Sequence, residues 1–600
     1  MVDVADMIEG DYTIYCEIDF ITIYCKKTKK YYSINRSNGE VKLIQIEPSS
    51  YQNKTEAYGI YGIIELEGSS YLAVITKGTF LDYFFQNPII RIDALDYIPL
   101  CRRQMNDKMY KSNIEYLKMI ESVLNMKCLY FSQFYNLTCR IQILFKLMGN
   151  NSEYDISKIS DNRFFFNKKL IIPFEKSNFK DLINPVICGS ISVRTMFISS
   201  KQSFQYLLIS RKDVRRLGRR FLSRGIDLEG NVANFTETEQ ILIHHDESNT
   251  KFASYIILRG SVPVIFSQAP TLKYTPSISI KERRENQTPA NIHLDELDRF
   301  YGKITIINLL NKKGSEERLG NAYEDVVSSK TNKPKFIWFD FHKECGTSKW
   351  NNLSLLLNLI KEDIDTFDFF MANIEMPGSK MNLGIFKQND LIKTMCIQSG
   401  AFRVNCLDSL DRTNVVQSEI ARTILFKKLF KINIIPKINV VAFEPFPHTS
   451  EEAFRTVWSD NGNNLSRIYS GTGAMKSDFT LTGKRTTYGI ARDGILSVQR
   501  YFINNFTDGY YQDTLNLASG NINHKNYNIV HHKIFKRIQI IFIFVLAILF
   551  FLIRKITEYE GFIPKILNTS WLIQFILILL PSLYFFTKFF GKSLSDKATI

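Results

Sequence analysis

At 600 residues the chain is too long for one ordinary hydrophobic core, so two soluble domains are expected. Its formal net charge of +16 favours an anionic partner, which is a nucleic acid, a phosphate-bearing ligand or a membrane surface. The nine cysteines are scattered, without a C-x-x-C pair or a His/Cys cluster at metal spacing. This pattern indicates neither a disulfide framework nor a zinc site, and it fits a reducing compartment.

The region from residue 11 to about 165 alternates short apolar and aromatic runs with clusters of Asn, Gly, Ser and Lys, which is typical of strands. Leu117–Leu124 and Cys139–Leu147 carry helical spacing between those runs. The N-terminus MVDVADMIEG is acidic and has no apolar core, so it is not a secretory signal. We therefore predict an α+β domain over residues 1–170 that carries no catalytic signature.

Residues 171–515 are predicted to form a second, larger α/β domain. This part contains strand-like runs such as FIWFDF and helix-like runs such as NLSLLLNLIKEDI. Residues 516–537 are polar and rich in Asn, His and Lys, which is typical of a linker.

Two apolar stretches near the C-terminus predict a membrane hairpin. Residues 538–553 (IQIIFIFVLAILFFLI) are bracketed by Lys and Arg, and residues 571–587 (WLIQFILILLPSLYFFT) end at Lys588. The alternative is a pair of buried helices in a soluble domain, but such helices are amphipathic and these stretches are apolar all round. Residues 554–570 would connect the two spans.

The flanking cations predict that the part of the chain before the first span and the tail 588–600 both face the cytosol. The first span covers only about 24 Å at 1.5 Å per residue, which favours a thin bilayer. We therefore expect an integral protein of the endoplasmic reticulum membrane or the Golgi membrane, with the bulk of the chain in the cytosol.

The segment Phe402–Phe426 reads as a strand, a loop and a helix. Phe402–Asn405 suits the end of a strand, and Val416, Ile420 and Ile424 recur at four-residue spacing as one buried helical stripe. A loop that feeds a helix N-terminus directs successive backbone amides into one concavity, which binds a phosphate dianion. The intervening loop is therefore predicted to be an anion site.

The loop contains a Cys-x5-Arg-Thr motif, and its residues supply the groups that phosphoryl transfer requires. Cys406 would attack phosphorus as a thiolate, because the positive field of the loop lowers a thiol pKa. Arg412 would hold two phosphoryl oxygens with its planar fork, and Thr413 would donate a hydrogen bond to the departing sulfur. Asp408 or Asp411, with Asp411 favoured, would protonate the leaving oxygen and then activate water. The alternative for Cys406 is an ordinary buried cysteine, but the Asp-rich run after it is poor core material.

Other residues are assigned to substrate binding by their place in the loop or in a basic motif: Leu407, Ser409, Leu410, Asn414, Lys484 and Arg485. The alternative for the Lys484-Arg485 pair is a solvated surface. The basic run Arg211–Arg224 lacks the interleaved aromatics of a nucleic-acid patch, so a surface that faces a membrane or a head group is favoured and no nucleic-acid partner is expected.

With those residues in view, the chain resembles the Sac-domain phosphoinositide phosphatases, whose signature loop reads Arg-x-Asn-Cys-x-Asp-x-Leu-Asp-Arg-Thr-Asn. Here the loop is RVNCLDSLDRTN. Further blocks of the same family are present: Arg224–Gln240, Arg259–Gln268, INLLNKKGSE, Phe339–Cys345 and Gly471–Thr486. The resemblance is dense from about residue 210 to 515 and faint over the N-terminal region.

The resemblance implies a mixed-sheet α/β cysteine-phosphatase domain with the N-terminal α+β domain as its companion. It implies Cys406 as the nucleophile, Arg412 as the phosphate clamp and the loop aspartates as acid/base candidates, without a metal. The two C-terminal spans resemble the integral-membrane branch of the family, found in the endoplasmic reticulum and the Golgi, whose preferred substrate is phosphatidylinositol 4-phosphate.

The leading hypothesis is therefore a phosphatase that converts phosphatidylinositol 4-phosphate, or else the 3-phosphate, to phosphatidylinositol through a phosphocysteine intermediate. One alternative is a phosphoinositide-binding scaffold at membrane contacts with incidental turnover. Another is a protein-tyrosine phosphatase, which the chemistry of the loop alone would permit.

Overall fold

The computed structural model describes residues 9–84, 87–102, 106–133, 135–148, 159–199, 202–246, 249–273, 276–346, 349–375, 391–435 and 447–521. The first strands form a five-stranded antiparallel sheet with the order β4-β3-β2-β1-β5: β1 Tyr12–Cys16, β2 Phe20–Cys25, β3 Lys30–Asn35, β4 Val41–Ile44 and β5 Asn53–Ala57. Aromatic and β-branched residues fill these strands, which suits a pleated and half-buried surface. The strands predicted in this region are confirmed.

A second sheet contains thirteen strands of the described residues. Its members are β6 Gly59–Leu66, β7 Ser69–Phe84, β8 Asn87–Arg102, β9 Leu129–Ser132, β10 Ile187–Ser199, β11 Gln202–Lys212, β12 Thr236–His245, β13 Asn249–Arg259, β16 Lys303–Asn308, β17 Lys335–Trp338, β18 Phe370–Glu375, β19 Leu391–Cys396 and β20 Gly400–Asn405. Strands β14 (Phe266–Ser267) and β15 (Ser279–Ile280) form a separate ribbon.

The order of the large sheet is β17-β16-β20-β13-β12-β11-β10-β9-β8-β7-β6, and β18 pairs with β13 and β19. Strand β20 lies between β16 and β13 and runs parallel to both. All six residues of β20 are buried, as expected for a parallel strand that is covered on both faces. The sheet thus places the carboxyl end of β20 in the interior of the molecule.

Thirteen helices of the described residues cover these sheets. They are α1 Asp107–Leu124, α2 Ile141–Met148, α3 Ile172–Lys176, α4 Arg283–Tyr301, α5 Gly314–Ser328, α6 Phe341–Cys345, α7 Leu353–Leu359, α8 Lys361–Phe367, α9 Asp411–Lys431, α10 His448–Ser470, α11 Ser477–Thr482, α12 Thr487–Phe506 and α13 Asp508–Ala518. Short 3₁₀ turns cover Lys168–Ile171, Lys180–Leu182 and Trp350–Asn352.

Helix α9 follows β20 and lies in the main apolar cluster. Val416, Ile420 and Ile424 pack there with Phe402 of β20 and Trp458 of α10, and all five side chains are buried. Full burial of an apolar side chain of this size stabilises a fold by about 1.5–3 kcal/mol, so packing fixes the helix against the sheet. The predicted succession of strand, loop and helix is confirmed, and so is the buried stripe.

The fold class predicted with a membrane hairpin needs correction. Within the described ranges, no helix is both long and apolar enough to cross a membrane. The longest of these helices, α10, has 23 residues but contains Glu, Arg, Asp and several Asn. The predicted spans 538–553 and 571–587 lie outside the described residues. The fold class that the structure supports for the described residues is a mixed α/β fold around a large sheet.

The large sheet takes strands from both sides of residue 170. The predicted division into domains 1–170 and 171–515 stays a prediction. The predicted linker 516–537 begins within α13, which ends at Ala518, and residues 522–537 lie outside the described residues.

Candidate active site

A hydrogen bond joins the loop between β20 and α9 to the residue that follows the neighbouring strand β13. Ser409 adopts φ +51°, a left-handed conformation that is uncommon outside glycine, and its side chain is fully buried. Its hydroxyl donates a hydrogen bond to the carbonyl oxygen of Gly260, just after β13. Leu410, the last loop residue, is also buried. The loop therefore has one defined path from the end of β20 into the first turn of α9.

The amides of this loop are available to an anion. None of the backbone N–H groups from Leu407 to Leu410 donates a hydrogen bond to another residue in the part of the chain that the structure describes. The first amides of α9, which begins at Asp411, have no acceptor within the helix either. Unpaired amides at the positive end of a 21-residue helix favour a tetrahedral anion.

Cys406 lies at the start of this loop and is almost covered. Its residue is 4% exposed and packs in the apolar cluster with Val415 and Val416 of α9. The hydroxyl of Thr413 is buried nearby in α9 and has no hydrogen-bond partner among the described residues. A buried hydroxyl without a partner is costly, so this hydroxyl is free to serve as the hydrogen-bond donor predicted for Thr413.

The Arg412 guanidinium is held from one side. Its Nη1 donates to the Leu309 carbonyl oxygen at 2.9 Å and to Glu316 Oε2 at 2.9 Å, while its Nη2 donates to Glu316 Oε1 at 2.8 Å. Burial opposes the charge, but the Cys406 sulfur and Glu316 raise the pKa of Arg412 above its ordinary value. A guanidinium has five N–H donors, so Nε–H and one Nη2–H stay without an acceptor in the described ranges. This free edge can hold two oxygens of a phosphoryl group.

Glu316 is a site residue that the sequence reasoning does not single out. It belongs to α5, 96 residues before Arg412 in the chain, and it also accepts a hydrogen bond from the Asn311 amide at 2.8 Å. Asn311 Oδ1 in turn lies 2.6 Å from His342 Nδ1. Burial and the nearby cations Arg412 and Lys476 lower the pKa of His342, so its ring is neutral at neutral pH. The only sequence signal was the block INLLNKKGSE, which contains both Asn311 and Glu316.

Asp408 is held ionised by two arginines from the basic run. Arg220 Nε donates to its Oδ2 at 2.9 Å, and Arg224 Nη2 donates to its Oδ1. Burial alone would raise the pKa of this carboxyl, but Arg220 and Arg224 outweigh it and lower the pKa to about 2. A carboxyl with that pKa has no proton to give at neutral pH. The geometry favours a structural role for Asp408 in the loop.

We expect Asp408→Asn to lower kcat/KM by about tenfold at every pH between 5 and 8, the equivalent of one lost charge-assisted hydrogen bond. The acid side of the pH–rate profile should not move, because the Asp408 pKa of about 2 lies below that range. The measurement is phosphate release across that pH range. Asp363→Asn, which removes a surface pair with Lys335, is the control and should keep full activity. A profile that loses its acid limb in Asp408→Asn would contradict this assignment.

Asp411 connects the start of α9 to the C-terminal helices. Its Oδ1 accepts a hydrogen bond from the Met475 amide at 2.6 Å, and its Oδ2 accepts one from Arg500 Nη1 at 3.1 Å. Arg500 lies in α12 and is itself buried, with a further bond to Thr472 at 3.0 Å. Both carboxylate oxygens are thus engaged in the described conformation. A proton donor here would have to exchange the Arg500 contact for the leaving oxygen.

Of the remaining predicted binding residues, Arg485 and Leu407 contact other parts of the protein, whereas Lys484 is exposed. Arg485 is paired within its own segment, with Asp478 and with Asp493 at 2.8 Å, whereas the side chain of Lys484 is exposed. Leu407 is partly buried and packs against a second apolar cluster under the sheet. Of the Lys484-Arg485 pair, only Lys484 is therefore presented to a ligand.

Asn414 holds α9 against α10. Its Nδ2 donates to the Trp458 carbonyl oxygen at 3.0 Å, and its Oδ1 accepts from Arg259 Nη2 at 3.2 Å. Gly462 of α10 makes this contact possible, because a Cβ there would lie 2.5 Å from Asn414 Nδ2. The geometry favours a packing role for Asn414.

Arg259 is a second site residue that the sequence reasoning does not single out, although it begins one of the blocks quoted above. It ends β13 beside β20, and its Nε donates to Gln417 Oε1 at 2.9 Å. Its Nη1 is buried with no acceptor in the described part of the chain. Burial lowers the pKa of Arg259 to about 10, and the Cys406 sulfur opposes this shift. Arg259 is therefore a buried positive charge close to the nucleophile candidate, with neutral hydrogen-bond partners.

Comparisons with known proteins identify the family of this chain. The profile of the SacI homology domain matches residues 58–346. Phosphatidylinositol-3-phosphatase SAC1-B of Danio rerio is 37% identical over 467 residues, which cover 77% of this chain and 76% of the relative. Phosphatidylinositol-3-phosphatase SAC1 of Drosophila melanogaster is 33% identical, over 77% of this chain and 74% of the relative.

A third relative, Phosphatidylinositol-3-phosphatase SAC1 of Saccharomyces cerevisiae, is 34% identical over 70% of this chain and 65% of its own length. Identities of 30% and more over such long stretches are those of proteins with a common fold. The chain belongs to the Sac-domain phosphoinositide phosphatase family.

Proposed function

We propose that this chain is a phosphoinositide phosphatase that hydrolyses phosphatidylinositol 4-phosphate to phosphatidylinositol, with the 3-phosphate as a second substrate. The observation that carries the proposal is the loop itself: free amides from Leu407 to Leu410 and the free edge of Arg412 lie next to Cys406. The names of the relatives specify a phosphatidylinositol-3-phosphatase, whereas the 4-phosphate rests on the family resemblance.

In the first step, the Cys406 sulfur attacks phosphorus as a thiolate while the bond from phosphorus to the inositol oxygen breaks. The buried charge of Arg259 and the amides of the loop stabilise the negative charge of the reacting atoms. The free edge of Arg412 holds two phosphoryl oxygens as charge spreads over them. Asp411 in its protonated form gives its proton to the departing inositol oxygen, which leaves as a hydroxyl.

In the second step, water attacks the phosphocysteine and the sulfur departs as a thiolate. Asp411, now ionised, takes the proton of that water, so inorganic phosphate is released and the acid is restored. The Thr413 hydroxyl, which lacks a partner among the described residues, donates a hydrogen bond to the departing sulfur.

A panel of water-soluble, short-chain phosphatidylinositol monophosphates tests the proposal. We expect the purified protein to release phosphate fastest from the 4-phosphate, next from the 3-phosphate, and at least about a hundredfold more slowly from a phosphotyrosine peptide, a difference of about 2.7 kcal/mol in transition-state binding. The readout is inorganic phosphate. A peptide that reacts as fast as the lipids would favour the protein-tyrosine phosphatase alternative instead.

We also propose that the enzyme works at the endoplasmic reticulum or Golgi membrane with its catalytic part in the cytosol. Eight of the nine cysteines are free in the part of the chain whose side chains the structure describes, which suits a reducing compartment. Imaging of a fluorescently tagged chain beside organelle markers tests the location, and a purely nuclear or secreted signal would contradict it.

A further inference from the structure

Helix α12 carries a stripe of exposed apolar side chains on the protein surface. Tyr488 is 77% exposed, Ile495 61%, Val498 55% and Phe502 39%. These residues are spaced by seven, three and four positions, so they lie on one face of the helix. Single exposed apolar residues are normal on a protein surface, but a continuous stripe over four turns marks an interaction site. We call these four residues the α12 stripe.

The opposite face of α12 belongs to the candidate active site. Arg500 on that face binds Asp411, the first residue of α9. Asp493, two turns earlier, accepts hydrogen bonds from the Lys476 amide and from Arg485. A helix with its side chains is about 10–12 Å across, so the α12 stripe lies about one helix diameter from the catalytic loop. Whatever binds the stripe is held next to the reacting phosphate.

The charges around the stripe fit an anionic surface. The stripe contains no acidic residue, and the acid closest to it along the helix, Asp493, is neutralised by Arg485. Arg492 lies beside the stripe without an ion pair to any described residue, and the exposed Lys484 precedes the helix. An apolar helix face flanked by unpaired cations is the pattern of a helix that lies in the head-group region of a membrane.

We propose that the α12 stripe inserts into the surface of an anionic lipid bilayer and thereby places the catalytic loop at the level of the head groups. The partner is the membrane that contains the substrate, so the inference rests on the proposed lipid phosphatase function. Insertion would bury the apolar side chains while Lys484 and Arg492 contact lipid phosphates. The active site would then receive its substrate without removing the lipid from the bilayer.

Position-specific quenching tests insertion directly. The full-length protein with Ile495→Trp carries a tryptophan on the stripe. The fluorescence of that tryptophan should be quenched by phosphatidylcholine vesicles with brominated acyl chains when the vesicles also contain phosphatidylserine. The matched control is Leu359→Trp, a residue of α7 that is 55% exposed and lies on another surface. Its emission should not be quenched. Equal quenching at both positions, or none at residue 495, would overturn the proposal.

An activity measurement separates this inference from the proposed function. In Ile495→Ser/Val498→Ser, hydrolysis of the 4-phosphate lipid in vesicles should fall about tenfold, the equivalent of about 1.4 kcal/mol of lost membrane binding. Hydrolysis of the short-chain, water-soluble substrate should be unchanged, which shows that the variant is folded. Equal activity of this variant and the wild type on vesicles would overturn the docking proposal alone. Quenching at residue 495 in a protein that hydrolyses neither lipid would overturn the proposed function alone.

Discussion

Cys406→Ser is expected to reduce the release of phosphate from short-chain phosphatidylinositol 4-phosphate by at least about ten thousandfold, to background. A serine hydroxyl keeps the size of the side chain but is not ionised near neutral pH, so it is a much weaker nucleophile than a thiolate. The free amides of the loop and Arg412 would still bind the phosphate. The variant should therefore bind substrate without turning it over, which a steady-state assay and a binding assay on the same preparation would show.

The covalent step can be observed separately. Rapid acid quenching of the wild type with a ³²P-labelled substrate should leave label on the protein, and Cys406→Ser should leave none. Cys396→Ser is the matched control, because Cys396 is partly exposed and lies on β19, which pairs with β18 rather than with the strand before the loop. It should keep both the label and the activity. Measurable turnover by Cys406→Ser would exclude the phosphocysteine mechanism, and rescue of a null cell by that variant would favour the scaffold alternative.

The local part of the site follows from the sequence because its causes are local. The strand-like run Phe402–Asn405 ends at Asn405, and the four-residue spacing of Val416, Ile420 and Ile424 starts one turn after Arg412. The loop must therefore lie between these two signals. The strand, the loop and the helix could therefore be predicted with the positions of Cys406 and Arg412 relative to them.

The partners of the loop do not follow from the sequence, because they come from distant elements. Strand β20 lies between β13 and β16, although its chain neighbour β19 pairs elsewhere, and only this sheet order brings Arg259 and Leu309 to the loop. Periodicity shows that a strand is buried but not which strand lies beside it. Two oppositely charged residues far apart in the chain give no pattern that a single sequence reveals, and Glu316 was missed for this reason.

The charged partners of the two loop aspartates could not be predicted from the sequence either. Their positions within three residues of each other make both of them candidates for the general acid in the sequence, with Asp411 favoured because it precedes Arg412. The structure separates them, since Asp408 faces Arg220 and Arg224 whereas Asp411 faces Arg500 and the Met475 amide. The basic run that holds Asp408 is visible in the sequence as charge, but its target is set by tertiary packing.

Arg412→Lys is expected to lower kcat by about a thousandfold with a much smaller change in KM. The variant keeps a positive charge but loses the planar edge, whose two donors are free while Glu316 holds the other side of the guanidinium. An ammonium group can contact one oxygen at a time, so it cannot follow the charge that spreads over the phosphoryl oxygens in the transition state. Steady-state kinetics on the short-chain 4-phosphate lipid measure the effect.

Glu316→Gln separates orientation from charge at the same site. The amide can still accept a hydrogen bond from Arg412 but gives up one of the two charge-assisted bonds, so we expect an intermediate loss of about ten- to a hundredfold in kcat. Arg422→Lys is the matched control, because Arg422 also lies on α9 but pairs with Glu451 away from the loop. It should keep the activity of the wild type. If Arg412→Lys lost no more activity than Arg422→Lys, the free edge of Arg412 would not be the phosphate clamp. A single ammonium charge would then be sufficient to bind the phosphoryl group.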